Sequence, residues 1–144
     1  MDEDTTTHLR QVIGRLARQL NRSASDEGLT PSEASVLGIV TGRGPISLSE
    51  LARVEGLNPT MLSRVVSNLE RAGLISRIPD PNDLRSAAVS VTRQGRTVQA
   101  TVRTNRAQVV ADAAEGLTTE QQKSIAEALP ALQALVDQLR LRDP

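Results

Sequence analysis

The chain has 144 residues, a length that suits one ordinary domain rather than two. It contains no cysteine, which excludes disulfide bonds and thiol redox sensing, and no aromatic residue, which removes the platforms on which single-stranded nucleic acids stack. Seventeen basic residues balance seventeen acids, but ten arginines against five acids lie between residues 43 and 106. Such a basic middle is typical of a nucleic-acid surface, although solvated charges produce it by chance about as often.

The chain begins with an acidic, polar segment, and no apolar run approaches the length of a signal sequence or a membrane span. We therefore expect a cytoplasmic protein without a membrane partner. From Leu9 an apolar stripe at helical spacing predicts a first amphipathic helix. Thr30, Pro31 and Glu33 then supply the capping residue, first-turn proline and third-position acid of a second helix, which ends near residues 41–45 at two glycines and a proline.

Two short helices follow, opened by the capping residues Ser47 and Asn58. A helix-turn-helix needs a small residue where its helices cross, a residue tolerant of positive φ in its turn, and aliphatic residues that seal its second helix. The chain meets these needs with Ala52, Gly56, Leu62 and Val65. The pattern indicates a helix-turn-helix whose second helix runs from Asn58 to Ala72, although an ordinary pair of packed helices has the same requirements.

The second helix of this pair presents a polar face of the kind that reads the major groove of duplex DNA. Arginine pairs with guanine, asparagine with adenine, a threonine methyl with thymine, and hydroxyls with bases or backbone. Arg64 is the first candidate for base readout, and the alternative is a surface arginine paired with Glu70 or Asp83. Arg71 is either a phosphate contact or an ordinary surface charge. The candidate DNA contacts on this helix are Asn58, Pro59, Thr60, Met61, Ser63, Arg64, Ser67 and Asn68.

After Leu74 the pattern changes from helical to alternating, and two short strands around a loop of Pro, Asp and Asn predict a hairpin from Ile75 to Val91. An arginine at the tip of such a wing suits a minor groove, where the potential is most negative, so Arg85 is the second candidate. Asp83 is expected to tie the loop and aim Arg85. The candidate DNA contacts here are Asp83, Arg85, Ser86 and Arg77, the last of which is equally well explained as a solvated strand residue.

Two long helices complete the chain. Thr92 caps the fifth helix, whose first turn Gly95 should weaken. The stretch from Leu117 through Thr118 to Gln121 opens the sixth helix, in which Pro130 should produce a kink. The apolar stripes of the first and last helices favour pairing with a second copy, whereas a monomeric bundle that buries both is the alternative. The predicted dimer contacts are Leu9, Val12, Ile13, Leu16, Leu129, Leu132, Leu135, Val136 and Leu139.

The order of elements, the helix-turn-helix, the Asp83-x-Arg85 pair and the step from Val91 through Thr92 to Gly95 resemble the MarR (multiple antibiotic resistance regulator) family over about residues 8–140. The resemblance implies a single domain that is mainly α with a small β-hairpin. It places a winged helix-turn-helix lobe at residues 30–92 between dimerisation helices at 8–27 and 93–142. It also implies a homodimer on a pseudo-palindromic operator, with repression of adjacent genes relieved by a small-molecule ligand.

Other classes of function find little support. The lone His8 cannot build a zinc site or a catalytic triad, and no phosphate-binding glycine pattern is present, so we expect no metal, no cofactor and no enzyme activity. We therefore expect a sequence-specific regulator that binds double-stranded DNA. The alternative is a winged-helix module that binds protein through the same face, which fits the zero net charge better.

Overall fold

The structure, a computed structural model, describes residues 1–23 and 27–142. Within those residues the chain forms helices and a small sheet in the predicted order, which confirms the mainly α fold with a wing. The elements are α1 (Glu3–Ser23), α2 (Pro31–Arg43), β1 (Ile46–Ser47), α3 (Leu48–Glu55), α4 (Pro59–Arg71), β2 (Ile75–Pro79), β3 (Ala87–Val91), α5 (Arg93–Glu115) and α6 (Thr119–Arg140). The chain divides into two compact units, Met1–Ala107 and Gln108–Pro144.

The predicted starts of five helices are confirmed by the hydrogen bonds of their capping residues. In each case the side-chain oxygen of the capping residue accepts a bond from the backbone N–H three residues later, at 3.2 Å for Thr30, 3.1 Å for Ser47, 2.9 Å for Asn58, 3.0 Å for Thr92 and 3.1 Å for Thr118. These bonds satisfy one of the backbone donors that a helix leaves without an internal partner. Because capping depends on short-range geometry, it could be predicted from the sequence.

The first helix begins earlier than the apolar stripe indicated. It starts at Glu3 rather than near residue 8, because Asp2 Oδ1 accepts a hydrogen bond of 2.7 Å from Thr5 N–H and so caps a polar first turn. The same bond from Thr5 holds the pKa of Asp2 below its ordinary value of 3.8. His8 therefore lies inside the helix, where it is exposed. Of the predicted range 8–27, residues 24–26 lie outside those described.

The predicted hairpin is present, and a third strand joins it. β2 and β3 are antiparallel, with Ile75 opposite Val91 and Pro79 opposite Ala87, and β1 pairs with the other edge of β3, giving the order β1-β3-β2. Since β1 has only two residues, it carries no alternating pattern that the sequence analysis could detect. It ties the connection between α2 and α3 to the base of the wing.

The core of the first unit is wholly aliphatic and lies between the helix-turn-helix and the sheet. Leu37 of α2, Leu51 of α3 and Leu69 of α4 are fully buried there, and Ile75 and Val89 contribute from the sheet. Each such side chain contributes roughly 1.5–3 kcal/mol on burial. On α4 the buried side chains are Leu62, Val66 and Leu69, so the helix turns its polar side outward.

Gly95 has a different role from the one that its low helix propensity suggested. A Cβ atom at this position would overlap the carbonyl oxygen of Leu74 and lie 2.8 Å from Cγ2 of Val91. Thr92 accepts a hydrogen bond of 3.0 Å from Gly95 N–H and donates one of 2.7 Å to the carbonyl of Gly73, which joins α5 to the base of the wing. The glycine is therefore required by a close backbone approach, and the expected weakening is the lesser effect.

The second unit contains the end of α5 and all of α6. Gln122 Nε2 donates to the carbonyls of Ala114 and Leu117 at 2.9 and 3.3 Å, which fixes the turn between the two helices. α6 is not terminated at Pro130 and continues to Arg140. No helix in the described part of the chain is long and apolar enough to cross a membrane.

Candidate nucleic-acid interface

The outward side of α4 forms a shallow concave strip with the composition of a DNA-reading surface. Pro59, Thr60, Ser63, Arg64, Ser67 and Arg71 line it together. They meet there because the buried residues of the helix recur on its other side, where they contact the core. Most of the predicted contacts on this helix thus share one surface. Met61 lies beside the strip and is 51% exposed.

Arg64 is exposed on α4, and the acids considered as its partners are occupied elsewhere. Glu70 pairs with Arg77, whose Nε lies 3.5 Å from Glu70 Oε1. Asp83 accepts a hydrogen bond from the backbone N–H of Arg85. Among the described residues neither acid pairs with Arg64. This favours the interpretation of Arg64 as a cation available to contact DNA.

Both predicted asparagine contacts accept hydrogen bonds within the protein. The side-chain oxygen of Asn58 accepts the capping bond from Met61 N–H. Asn68 Oδ1 accepts a bond of 2.9 Å from Arg71 Nη2, and Arg71 Nε also donates to the Ser67 carbonyl at 3.5 Å. Reading adenine uses both the oxygen and the NH₂ group of an asparagine, and the bond from Arg71 already occupies one of the two lone pairs of the Asn68 oxygen. The two asparagines therefore differ from Ser63 and Arg64, for which no comparable bond is seen among the described residues.

The tip of the wing is held by a network of hydrogen bonds. Asp83 Oδ1 accepts from Arg85 N–H at 3.0 Å and Asp83 Oδ2 from the Ser86 hydroxyl at 3.3 Å, as the expected loop-tying role requires. Asp80, to which the sequence pattern assigned no role, accepts a bond from Asn82 N–H at 2.9 Å and donates its own N–H to the Ser86 carbonyl. The tip therefore presents Arg85 and Ser86, both exposed, from a tied loop.

Arg77 lies on β2 and connects the wing to α4 through its pair with Glu70. Both side chains are more than a third exposed, at 37% and 42%. An exposed pair of this kind contributes about 0–1 kcal/mol, so it holds the guanidinium only weakly against a phosphate. A phosphate contact and a solvated strand position both stay compatible with this geometry.

Seven of the nine predicted dimer contacts are exposed in the single chain. On α1, Val12, Ile13 and Leu16 are exposed and Leu9 is half-buried. On α6, Leu135 is half-buried, and the exposed members of the stripe are Leu129, Leu132, Val136 and Leu139. Apolar stripes of this extent on two helices are typical of surfaces that are buried in an assembly.

Comparison with known sequences supports the same interpretation of the fold. The model of the MarR family matches residues 29–87, from the connection before α2 to the first residue of β3. An HTH-type transcriptional regulator of Mycobacterium bovis is 27% identical over 137 residues, covering 95% of this chain and 96% of its own. The HTH-type transcriptional repressor MdtR of Bacillus subtilis is 25% identical over 92 residues, 64% of this chain and 59% of its own.

Solved structures resemble the chain over nearly its whole length. The crystal structure of RV1404 from Mycobacterium tuberculosis is 28% identical, has a TM-score of 0.80 and covers 95% of each chain. The apo form of MarR from E. coli has a TM-score of 0.76 over 92% of this chain and 97% of its own. At 22% identity, the likeness to that second structure shows the fold alone.

Proposed function

Because this chain belongs to the MarR family of winged helix-turn-helix transcription regulators, we propose that two copies of it bind one pseudo-palindromic operator in double-stranded DNA. The observation that carries this proposal is the concave polar strip on α4, which includes an arginine free of the neighbouring acids. A helix of this kind enters the major groove by its N-terminal end, where Pro59, Thr60, Ser63 and Arg64 lie. The family consists of regulators rather than enzymes.

Within this function, we assign base readout first to Arg64 and Ser63, and contact with the minor groove to Arg85. Asp83 and Ser86 hold Arg85 in place through the turn that they close. Asn58 acts mainly as a helix cap, and Asn68, whose oxygen is shared with Arg71, is a secondary contact. Met61, Ser67 and Arg77 are secondary contacts.

We further assign DNA binding to a lobe at residues 30–92 and dimerisation to the helices at 8–27 and 93–142. The buried core from Val36 to Val89 supports the first assignment, and the exposed stripes on α1 and α6 support the second. Members of this family bind DNA and function as dimers. In a two-fold dimer, the two α4 helices would read half-sites about 34–36 Å apart. Repression of adjacent genes, relieved by a small-molecule effector, is the mode of regulation typical of the family.

Selection of bound duplexes followed by titration at several salt concentrations tests this function. We expect a preferred site whose affinity falls with salt at a logarithmic slope of about −0.9 per phosphate contacted. Arg64→Ala should cost about 1–3 kcal/mol at this site and relax the base preference, because one bidentate contact is lost. Lys123→Ala, which removes a charge from α6, is the matched control and should change neither quantity.

Two results would contradict the proposal. Equal losses on the preferred and on a scrambled duplex would remove Arg64 from base readout. A folded, dimeric protein that prefers no duplex would instead favour the alternative, a winged-helix module that binds another protein through the same face.

A further inference from the structure

Leu84 is an exposed apolar side chain at the outermost point of the wing. It is 82% exposed, and with Arg85 it forms the centre of a four-residue turn closed by a bond of 3.0 Å from Ser86 N–H to the Asp83 carbonyl. Turns of this kind favour Gly, Pro, Asn, Asp and Ser at such positions. A leucine here buries no surface in the free protein, so the fold itself gives no reason for it.

The loop that carries Leu84 leaves it little freedom to fold back onto the protein. Asp80 N–H donates to the Ser86 carbonyl at 3.0 Å, and Asp83 N–H donates to the Asp80 carbonyl at 3.2 Å. Both bonds act in addition to the side-chain bonds of Asp83. Leu84 is therefore presented outward beside Arg85 before any partner arrives.

The surroundings of Leu84 favour DNA over protein as its partner. The neighbouring residues from Pro81 to Ser86 are all exposed, and Leu84 is the one large apolar side chain among them, so the tip offers no apolar patch of the kind that protein interfaces use. A leucine cannot donate a hydrogen bond to a phosphate. The apolar surfaces available beside Arg85 are the sugar faces and base edges of a minor groove and the stacked faces between its base pairs.

We propose that Leu84 enters the minor groove with Arg85 and partly unstacks one base step, so that the protein selects its operator in part by DNA deformability. This inference rests on the proposed function. The minor groove is about 6 Å wide, which admits the tip of a two-stranded ribbon but not its body. Apolar wedges of this type kink the duplex, and the pyrimidine–purine steps TA and CA/TG unstack most readily. A dimer would place two such steps symmetrically outside the sequences read by α4.

Parallel selections from a random duplex library with the wild type and with Leu84→Ser test the inference. We expect the wild type to enrich a pyrimidine–purine step at a constant distance outside each half of an inner motif. Leu84→Ser should select the same inner motif without that step, and its affinity for the wild-type site should fall about tenfold. Leu84→Met keeps an apolar side chain at the same position, so this conservative variant should restore the flanking step and the wild-type affinity.

A second measurement reports the unstacking directly. With 2-aminopurine placed at the flanking step, the wild type should raise the fluorescence on binding, and Leu84→Ser should not. Identical flanking preference and identical fluorescence in the two proteins would overturn the role of Leu84 while leaving the inner motif, and with it the proposed function, intact. Absence of any motif with the wild type would overturn both.

Discussion

The polar side chains of α4 and its cap differ in whether they already form hydrogen bonds within the protein. Asn58 and Asn68 have the chemistry to read adenine, yet one caps the helix and the other accepts a bond from Arg71. Arg64 pairs with neither Glu70 nor Asp83: Glu70 pairs with Arg77, and Asp83 accepts a hydrogen bond from the backbone N–H of Arg85. Residue type therefore identifies a group of candidates, and competition for hydrogen bonds within the protein ranks them.

The close backbone approach at Gly95 predicts a loss of stability when a side chain is added there. Gly95→Ala should lower the free energy of unfolding by about 1–3 kcal/mol, since the added methyl overlaps backbone that cannot easily move. The measurement is urea denaturation followed by circular dichroism. Gly42→Ala is the matched control, because that glycine lies in α2 with no atom near its missing Cβ. The control should gain up to about 1 kcal/mol. Equal effects at both sites would contradict the close approach of α5 to the wing.

At the scale of elements, α3 is held by a cluster of charges around Glu50. Arg53 Nη2 lies 2.6 Å from Glu50 Oε1 and Arg53 Nε lies 3.0 Å from Oε2, while Arg43 at the end of α2 approaches Oε1 at 3.8 Å. The hydrogen bonds from Arg53 are the main cause that holds the pKa of Glu50 below its ordinary value of 4.5, and the charge of Arg43 adds to it. The cluster connects α3 to the end of α2.

This cluster predicts a dependence of stability on pH. Because the folded pKa of Glu50 is lowered, its contribution is complete above the ordinary value of 4.5 and is lost as the pH falls through the folded pKa. Glu50→Gln should therefore unfold at a lower urea concentration than the wild type at pH 7, and the difference should shrink in acid. Glu115→Gln removes an exposed acid from the C-terminal end of α5, where negative charge is unfavourable, and should cause no loss. A difference that is independent of pH would contradict the assigned role of the carboxylate.

At the scale of the whole molecule, the exposed apolar stripes on α1 and α6 argue for a second copy of the chain. Within the second unit, α6 leaves Leu129 and Leu139 57% and 58% exposed, and they lie with Leu132 and Val136 on one side of the helix. Burial of such a stripe against a two-fold partner would also set the spacing of the two reading helices.

A charge on this stripe tests dimerisation. Leu129→Asp should produce monomers in sedimentation experiments, because a carboxylate would have to be buried at the interface. Its affinity for the selected operator should fall about a hundredfold, since two linked half-sites become separate. Ala134→Asp adds the same charge to the opposite side of α6 and should stay dimeric. If Leu129→Asp also stays dimeric, α6 does not form the interface.

Features that depend on a few neighbouring residues can be predicted from the amino-acid sequence. The capped helix starts and the antiparallel wing follow from local chemistry and from the period of the apolar residues, which are visible in the sequence. Asp2 is also a local signal for the start of α1, although it lies outside the apolar stripe that predicted this helix.

Features that join distant parts of the chain depend on the fold and could not be predicted in this way. The pairing of the two-residue β1 with β3, the close approach of Leu74 to Gly95 and the partner of Glu70 all join residues whose separation along the chain carries no pattern. Polar side chains in the region of α4 and the wing have several partners within reach, and packing chooses among them. For this reason the sequence supplied the candidates for the DNA-binding surface, and the folded chain separated those facing outward from those already engaged.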